Sequence, residues 1–402
     1  MDKMSIAEAS ADRGLVGGPF GSNLIGSDYT HTGIPVIRGA NMIGPEIGGE
    51  YVYVSQGKFD NDLFRNSAEP GDLIFTQRGT LGQVALVPET SDARYVVSQS
   101  QMRLRVNPNV THARYVYYAA RSPEFVKQVY DNAISTGVPH INLGILSRLT
   151  IPKLPLRKQW AIADVLGALD DKIAASKQVL RLCLELADAK FSNVTRKVRL
   201  ICKAFDDIAE VGGGGTPKTS VDEYWNGDIS WATPTDVTGL AGPYIFSTSR
   251  AITQAGLSSC SSRIYPKDSI LMTSRATIGA FAIAQSPIAV NQGFIVVNAK
   301  DSAYQLWLFH DMRARISEFA SHANGATFLE LSRGTFKKFQ VRVPEVRLAR
   351  EFSREVGALH VLASQMIIES SRLANTRDTL LPLLMSGKIR VRDAEKAVEG
   401  VV

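Results

Sequence analysis

From Pro155 to about Ile201 the apolar residues recur at alternating steps of four and three. The series runs Ile162, Leu166, Leu169, Ile173, Ser176, Leu180, Cys183, Ala187, then Phe191, Val194, Val198 and Ile201. A second series reads Phe352, Val356, Leu359, Ala363, Met366, Ser370, Leu373, Arg377, Leu380, Leu384. A hydrophobic period of 3.5 over several heptads predicts long helices that supercoil against a partner. The first stretch has no internal proline and a single glycine, so nothing inside it stops a helix. A helix of roughly 45 residues would be about 65 Å long. The seams match in length and phase, which favours pairing as antiparallel neighbours. The competing reading is that each helix packs on its own domain. Ser176, Ser370 and Arg377 interrupt the seams with polar groups.

The pattern before each seam is different. Residues 14–150 place short apolar runs between Gly17-Gly18-Pro19, Gly44-Pro45, Gly48-Gly49 and Pro70-Gly71. Strands are predicted at Ile34–Ile37, Tyr51–Val54, Leu73–Thr76, Val84–Val87 and Met102–Val106. Helices are predicted at Ala113–Ala120 and, after the cap Ser122-Pro123-Glu124, through Phe125–Tyr130. Residues 203–343 repeat this texture. They give strands at Ile229–Ala232, Ser269–Thr273, Phe281–Ala284 and Phe294–Val297, and a helix at Ala303–Phe319.

The two halves are copies, at a period of about 190 residues. Asp72-Leu-Ile-Phe-Thr76-Gln-Arg78-Gly-Thr80-Leu-Gly82 returns as Asp268-Ser-Ile-Leu-Met-Thr273-Ser-Arg275-Ala-Thr277-Ile-Gly279. Val97-Ser-Gln99 is echoed by Val290-Asn-Gln292, Gly137 by Gly325 and Pro155 by Pro344. Val-Leu-Gly167-Ala-Leu169 is echoed by Glu-Val-Gly357-Ala-Leu359. So long a period means a duplicated domain followed by a duplicated helix. Such a chain has the symmetry of a dimer and suits a target with two halves, DNA above all.

Composition narrows the class. An apolar fraction of 45% in 402 residues suits a globular protein of two or three domains. No apolar run approaches the ~18 residues of a membrane span, and Met1–Ser10 has no signal-peptide core. Three cysteines, Cys183, Cys202 and Cys260, are too few and too scattered for a disulfide frame or zinc site. A cytoplasmic location is expected. The net charge of +6 favours a polyanion partner without requiring one.

Gly-Pro19-Phe-Gly21-Ser-Asn23-Leu and Gly-Ile-Pro35-Val-Ile-Arg38-Gly-Ala-Asn41 resemble the opening of a target recognition domain. The family is that of the specificity subunits of type I restriction–modification systems. Ile208-Ala-Glu210-Val-Gly212-Gly-Gly-Gly-Thr216-Pro217, with Glu223-Tyr-Trp225-Asn-Gly227-Asp-Ile-Ser-Trp231, is similar to the same opening in its commoner form. Ser135-Thr-Gly137-Val-Pro139-His-Ile-Asn142 and Ile151-Pro-Lys-Leu-Pro155 resemble the junction into the family's helix. Leu380-Leu-Pro382-Leu-Leu-Met-Ser386-Gly387-Lys388-Ile389 resembles the end of its second helix. The second junction, Gly325-Ala-Thr-Phe-Leu, and the second proline pair, Val343-Pro344, are weaker copies.

The resemblance implies an α+β fold. Two mixed α/β target recognition domains are joined by two long antiparallel coiled-coil helices, with a pseudo-two-fold internal repeat. The expected division is 1–153, first recognition domain; 154–201, first helix; 202–344, second recognition domain; 345–402, second helix and tail. It also implies a non-catalytic subunit whose domains each read half of a bipartite double-stranded DNA site, with the helices as a ruler. Two copies of a DNA methyltransferase subunit and a restriction and translocation subunit would be partners. AdoMet and ATP would sit on those partners, and no cofactor on this chain. Two other readings stay open: a DNA-targeting subunit of another modification machine, and a coiled-coil scaffold with no DNA role.

Bases are read in the major groove by paired donors and acceptors, Arg for guanine and Asn or Gln for adenine. In the first half such groups stand at Gln77, Arg78, Thr80, Ser98, Gln99, Gln101 and Arg103; in the second, at Ser274, Arg275, Thr277, Asn291 and Gln292. Positions that agree between the halves suit phosphate contacts or framework, and those that differ suit base reading. Arg78 and Arg275 therefore fall in the first class; Gln77 opposite Ser274 and Ser98 opposite Asn291 fall in the second. The glycines 17, 18, 21 and 212–215 suit either phosphate cradles or turns, without the Lys-Ser/Thr ending of an ATP loop. Trp225 and Trp231 suit either base stacking or the core. No methyltransferase Asn/Asp-Pro-Pro-Tyr/Phe motif, nuclease Asp…Glu-x-Lys cluster or spaced histidine pair is present, so neither catalysis nor a metal is expected here.

Overall fold

The computed structural model describes residues 2–42, 44–89, 94–135, 137–323 and 329–400. The chain divides into two compact units, Met1–Ala174 with Ser371–Val402, and Ala175–Ser370. The two long helices are Leu156–Lys197 and Val346–Met385. Both cross the unit boundary, so each unit contains a segment of each helix.

In the first unit a four-stranded antiparallel sheet runs in the order Ser10–Gly17, Gln101–Val106, Leu73–Thr76, Val84–Leu86. A five-stranded sheet holds Tyr29–Thr30, Val52–Val54, Ile34–Ile37, Tyr95–Val97 and Ser67–Ala68. The strand Lys3–Ser5 pairs antiparallel with Thr150–Pro152, directly before the first long helix. In the second unit the five-stranded sheet is ordered Ala209–Gly212, Phe294–Ala299, Ile270–Thr273, Phe281–Ala284, Tyr244–Ile245. A three-stranded sheet adds Arg250–Ile252, Trp225–Ala232 and Ala289–Val290. Here Ile201–Ala204 pairs with Gln340–Val343, directly before the second long helix. The repeat reaches the register: Thr76 lies opposite Gln101, and Thr273 opposite Phe294.

Both readings of the seams hold as far as the helices run; the first helix stops at Lys197, so Val198 and Ile201 fall outside it, with Ile201 exposed in the strand Ile201–Ala204. In the first unit Ile162, Leu166, Leu169 and Ile173 share one core with Leu373, Leu380 and Leu384 of the other helix, and with Tyr115–Ala120 of the recognition domain. In the second unit Leu180, Cys183, Ala187 and Phe191 meet Phe352, Val356 and Ala363, together with Trp307 and Phe309. Leu359 and Met366 are half-buried at the margin of that core. Within the second unit Ser176 bonds Glu369 at 2.8 Å and Lys190 bonds Glu355 at 2.8 Å, so the helices run antiparallel. Each fully buried Leu or Phe side chain in these seams contributes roughly 1.5–3 kcal/mol to its unit.

Some elements differ from expectation. The helix expected at Ala303–Phe319 is a 3-10 turn Ser302–Tyr304, a helix Gln305–Ala314 and a second helix Ile316–Ser321. Arg315 leaves the helical region there (φ −115°, ψ 19°), and its guanidinium spans the break to Asp311 and Glu318. The strands Ser10–Gly17 and Ala209–Gly212 were not expected, because glycines and the charged residues Asp12, Arg13 and Glu210 hide the alternation. The echo of Gly137 at Gly325 and most of the second junction lie outside the described residues, as does Thr136 in the first.

Candidate functional site

The polar turns singled out in sequence are built on one main-chain junction, made twice. At the end of Leu73–Thr76, the Gln77 N–H donates to the Ser100 carbonyl at 2.8 Å, and the Gln77 carbonyl accepts from Ile141 at 3.0 Å. At the end of Ile270–Thr273, the Ser274 N–H donates to Gly293 at 2.8 Å, and its carbonyl accepts from Leu331 at 2.9 Å. Arg78 then bridges to His140, and Arg275 to Glu330. Each junction leads to a short capped helix, Leu143–Arg148 under Asn142 and Arg333–Lys337 under Ser332.

The glycines are tied to this frame by close approach. A Cβ on Gly18 would stand 2.0 Å from the Ser98 carbonyl oxygen, and one on Gly214 would stand 1.7 Å from that of Val290. Gly212 meets Tyr265, Gly213 meets Arg333 and Phe294, and Gly215 meets Ser261, each within 3 Å of an added Cβ. Gly213–Gly215 are buried and Gly212 half-buried, each closely approached by protein atoms, so the run favours packing over a phosphate cradle. Trp225 and Trp231 are also core: both are buried, in edge contact at 5.2 Å, with the Arg250 guanidinium 3.5 Å over Trp225.

The candidate readers separate by burial. Gln101, Ser98 and Ser274 are buried, and Ser98 donates to the Gln101 carboxamide oxygen. Gln99 is exposed, and its amide donates at 2.8 Å to the carbonyls of Gly21 and Leu24. Arg78, Thr80, Thr277 and Gln292 are exposed, and Gln77 is half-buried. The Asn291 side chain accepts from Gly293 N–H at 2.8 Å, while Gln292 accepts from the Thr216 hydroxyl at 2.5 Å. Arg275 is paired with Glu330 at 2.9 Å, and its Nε is buried without a partner.

Arg103 does not fit the expectation of a groove-facing residue. It is 6% exposed, and its guanidinium donates to the Ser67 carbonyl at 3.1 Å and the Arg13 carbonyl at 3.0 Å. Its register partner is Ile74, where the second unit pairs Val296 with Leu271. The repeat thus places a buried valine at the same point, which marks a core position.

Ser98, Gln99, Ser100 and Gln101 line an open recess of about 540 Å³, together with Tyr29 and Arg38. Beside it Phe20 is 86% exposed, an unusual burden for a phenylalanine. Arg38 was not singled out, although its Nε is buried without a partner. Its main-chain N–H donates to the Asn41 side chain at 3.0 Å, and in the second unit Thr233 does the same to Asp236 at 2.7 Å. Arg38 and Thr233 are therefore equivalent positions with different side chains. The signal available in sequence was an arginine directly after the apolar run Ile34–Ile37; its repeat partner is no arginine, so the internal comparison did not flag it.

Among the described residues no group of His, Cys, Asp and Glu could hold a metal ion, and no helix is long and apolar enough to cross a membrane. All three cysteines are free.

Comparison with known proteins gives a consistent result. The family model for the type I restriction modification DNA specificity domain matches residues 28–182 and again 203–347. The chain is similar to the type I restriction enzyme MjaIX specificity subunit of Methanocaldococcus jannaschii, 42% identical over 144 residues, covering 35% of this chain and 33% of that one. It is also similar to the HindI specificity subunit of Haemophilus influenzae, 21% identical over 407 residues, covering 81% of this chain and 88% of the relative. In fold it matches the crystal structure of the type I restriction-modification S subunit from M. genitalium, with a TM-score of 0.62, 17% identity and 95% of each chain covered.

Proposed function

The chain belongs to the family of type I restriction modification DNA specificity domains, which it carries twice, and from that membership we propose that it reads a bipartite DNA site for a type I restriction–modification complex. Each recognition domain takes one half-site. One observation carries the reading: the two copies share a main-chain junction, yet differ in the side chain presented beside it, Arg38 against Thr233. Domains that position alike and specify differently need this division.

On this reading Arg38, Gln77 and Gln99 in the first domain, and Thr233 and Asn291 in the second, make base or adjacent backbone contacts. Exposed Arg78, Thr80, Thr277 and Gln292 serve phosphate positioning. Gln101, Arg103, Ser274 and the Glu330-paired Arg275 support the frame. The paired helices set the distance between half-sites and dock two copies of an adenine methyltransferase subunit, with a restriction and translocation subunit added to the assembly. AdoMet and ATP chemistry belongs to those partners; the contribution of this chain is positioning, in the cytoplasm.

Mapping methylated adenines across the host genome, with the gene intact and deleted, tests this. Loss of methylation at a single bipartite motif on deletion is expected, and would display both half-sites directly. Unchanged methylation, together with no salt-dependent affinity of the purified complex for duplex DNA, would remove the reading.

A further inference from the structure

Each unit holds a buried polar cluster where a recognition-domain helix meets the two long helices, and the two clusters have incompatible chemistry. In the first unit Tyr118, on Ala113–Arg121, donates its hydroxyl to Asp170 at 2.7 Å, and Arg377 from the second long helix donates to the other oxygen of that carboxylate. Asp170 and Arg377 have side chains only 5% and 11% exposed. In the second unit the first long helix supplies Asp188. His310 lies 2.6 Å from that carboxylate through Nδ1, and 3.0 Å from His360 Nε2 through its own Nε2. Tyr244 lies 2.7 Å from His360 Nδ1.

With both imidazoles neutral, one proton arrangement satisfies the chain of contacts from Asp188 to Tyr244. The carboxylate can only accept, so His310 donates through Nδ1; burial keeps that ring neutral, so its Nε2 accepts. His360 must then donate through Nε2 and accept the Tyr244 proton at Nδ1. Both rings are neutral and fully used, and the Asp188 carboxylate that faces them already carries Arg313 at 3.2 Å, so a further arginine would find no imidazole acceptor there.

The internal repeat places the clusters in correspondence. The offset that carries Gly167-Ala-Leu169 onto Gly357-Ala-Leu359 carries Asp170 onto His360, and it carries Ala187 onto Arg377. Ala187 is fully buried, in the core around Phe191, whose ring stacks 5.9 Å from His310. Asp170 therefore faces an arginine from the opposite helix, whereas His360 belongs to a core that receives an alanine.

We propose that Asp170 with Arg377, and His360 with Ala187, form a matching code that makes each repeat pair with the other repeat and not with a second copy of itself. Two first repeats would set Asp170 against alanine and leave a buried carboxylate without its cation. Two second repeats would force Arg377 into the fully buried place of Ala187, beside imidazoles already at capacity. Only the mixed pairing satisfies both. A repeat protein carries near-identical seams on both helices, and this pair of positions supplies the discrimination that the apolar seam lacks. The inference does not depend on what the chain recognises.

The test exchanges the two side chains in the full-length protein, Ala187→Arg with Arg377→Ala. Pairing within one chain is then mismatched at both clusters, while pairing between copies, first repeat with first and second with second, is matched at both. Light scattering on size-exclusion eluates, at protein concentrations of tens to hundreds of micromolar, reads the outcome. The wild-type chain is expected at the mass of one copy and the exchanged chain at twice that mass, with the dimer fraction rising at least tenfold. Differently tagged copies of the exchanged chain should co-purify after co-expression, and those of the wild type should not. A gentler variant with glutamine at both positions, Ala187→Gln with Arg377→Gln, erases the code and should give monomer and dimer side by side if the exchanged chain aggregates. An exchanged or glutamine variant that stays monomeric, whether as stable as the wild type or less so, overturns the proposal.

Discussion

The two units spell one architecture in two chemistries. Where the main chain makes the contact they are nearly superposable in logic: Gln77 and Ser274 bond the same two neighbouring segments, and Gly18 and Gly214 press on carbonyls of the same turn, at Ser98 and, one residue earlier in the repeat, at Val290. Where side chains make the contact, they diverge: Tyr118 and Asp170 against His310 and His360, Arg38 against Thr233, Arg103 against Val296. A duplicated domain can vary its side chains freely only while the backbone frame needs none of them. The most severe way to break the comparison is therefore at the frame. Gly18→Ala and Gly214→Ala each place a methyl about 2 Å or less from a carbonyl oxygen. Each is expected to cost at least about 3 kcal/mol, the upper end of overpacking penalties, and to do so equally in both units. Thermal or urea unfolding of the full chain checks this, and a cost under 1 kcal/mol at either site would mean that the loop yields.

A smaller separation appears with pH, because only the second unit builds its helix junction from histidines. Burial holds His310 below its ordinary value, against the pull of Asp188, and pushes His360 down to about 3 from 6.5. Asp188 and Arg313 face this pair along with Tyr244; burial raises the Asp188 carboxyl, but its bond from His310 and the Arg313 charge hold it low. A histidine whose folded value is depressed takes up fewer protons folded than unfolded. Its stabilisation is complete above pH 6.5 and is lost as pH falls from there toward about 3. Asp311 acts oppositely: burial raises its carboxyl to about 6, against Arg315, so it adds stability as pH falls through that value. In the first unit, burial also holds the half-buried His112 below its ordinary value. A wild-type minus His360→Asn comparison cancels both. The unfolding temperature of the wild type should fall more steeply between pH 7.5 and 5 than that of His360→Asn, and parallel curves would contradict the assigned proton arrangement.

Much of this was legible in the sequence, and what was missed has physical causes. The seams from Ile162 to Leu380 and the double motif around Thr76 and Thr273 follow from periodicity, which survives without any knowledge of partners. Arg377 looked like a flaw in its seam because a one-dimensional pattern cannot show Asp170 arriving from the opposite helix. Ser176 was the same kind of apparent flaw, and it bonds Glu369. Arg103 read as a base contact because arginine beside a polar turn suits a groove; its burial depends on carbonyls at Ser67 and Arg13, far away in sequence. The four glycines read ambiguously for the same reason. Their need for bare backbone comes from Tyr265, Val290 and Ser261, which arrive only with folding.

The finest discrimination sets two arginines of the first unit against each other. Both arginines keep an unpartnered buried Nε, but Arg38 lines the open recess, whereas Arg103 is 6% exposed and spends its two terminal nitrogens on internal carbonyls. Each has an equivalent without charge in the second unit, Thr233 and Val296, so both can be replaced by a residue that the frame already accommodates. Arg38→Thr should leave the unfolding temperature within a degree or two, because its main-chain bond to Asn41 needs no particular side chain. On the proposed function it should cost about 1–3 kcal/mol of discrimination at one half-site, the worth of a good base contact, and leave the other half-site untouched. Arg103→Val should do the reverse. The Ser67 and Arg13 carbonyls lose a buried donor, a loss of about 1–3 kcal/mol in stability, while the methylated sequence stays the same. Methylation profiling and thermal unfolding of the two variants in parallel separate the roles. If Arg103→Val relaxed the first half-site while keeping full stability, the buried arginine would be the reader, and the recess around Arg38 would lose its claim.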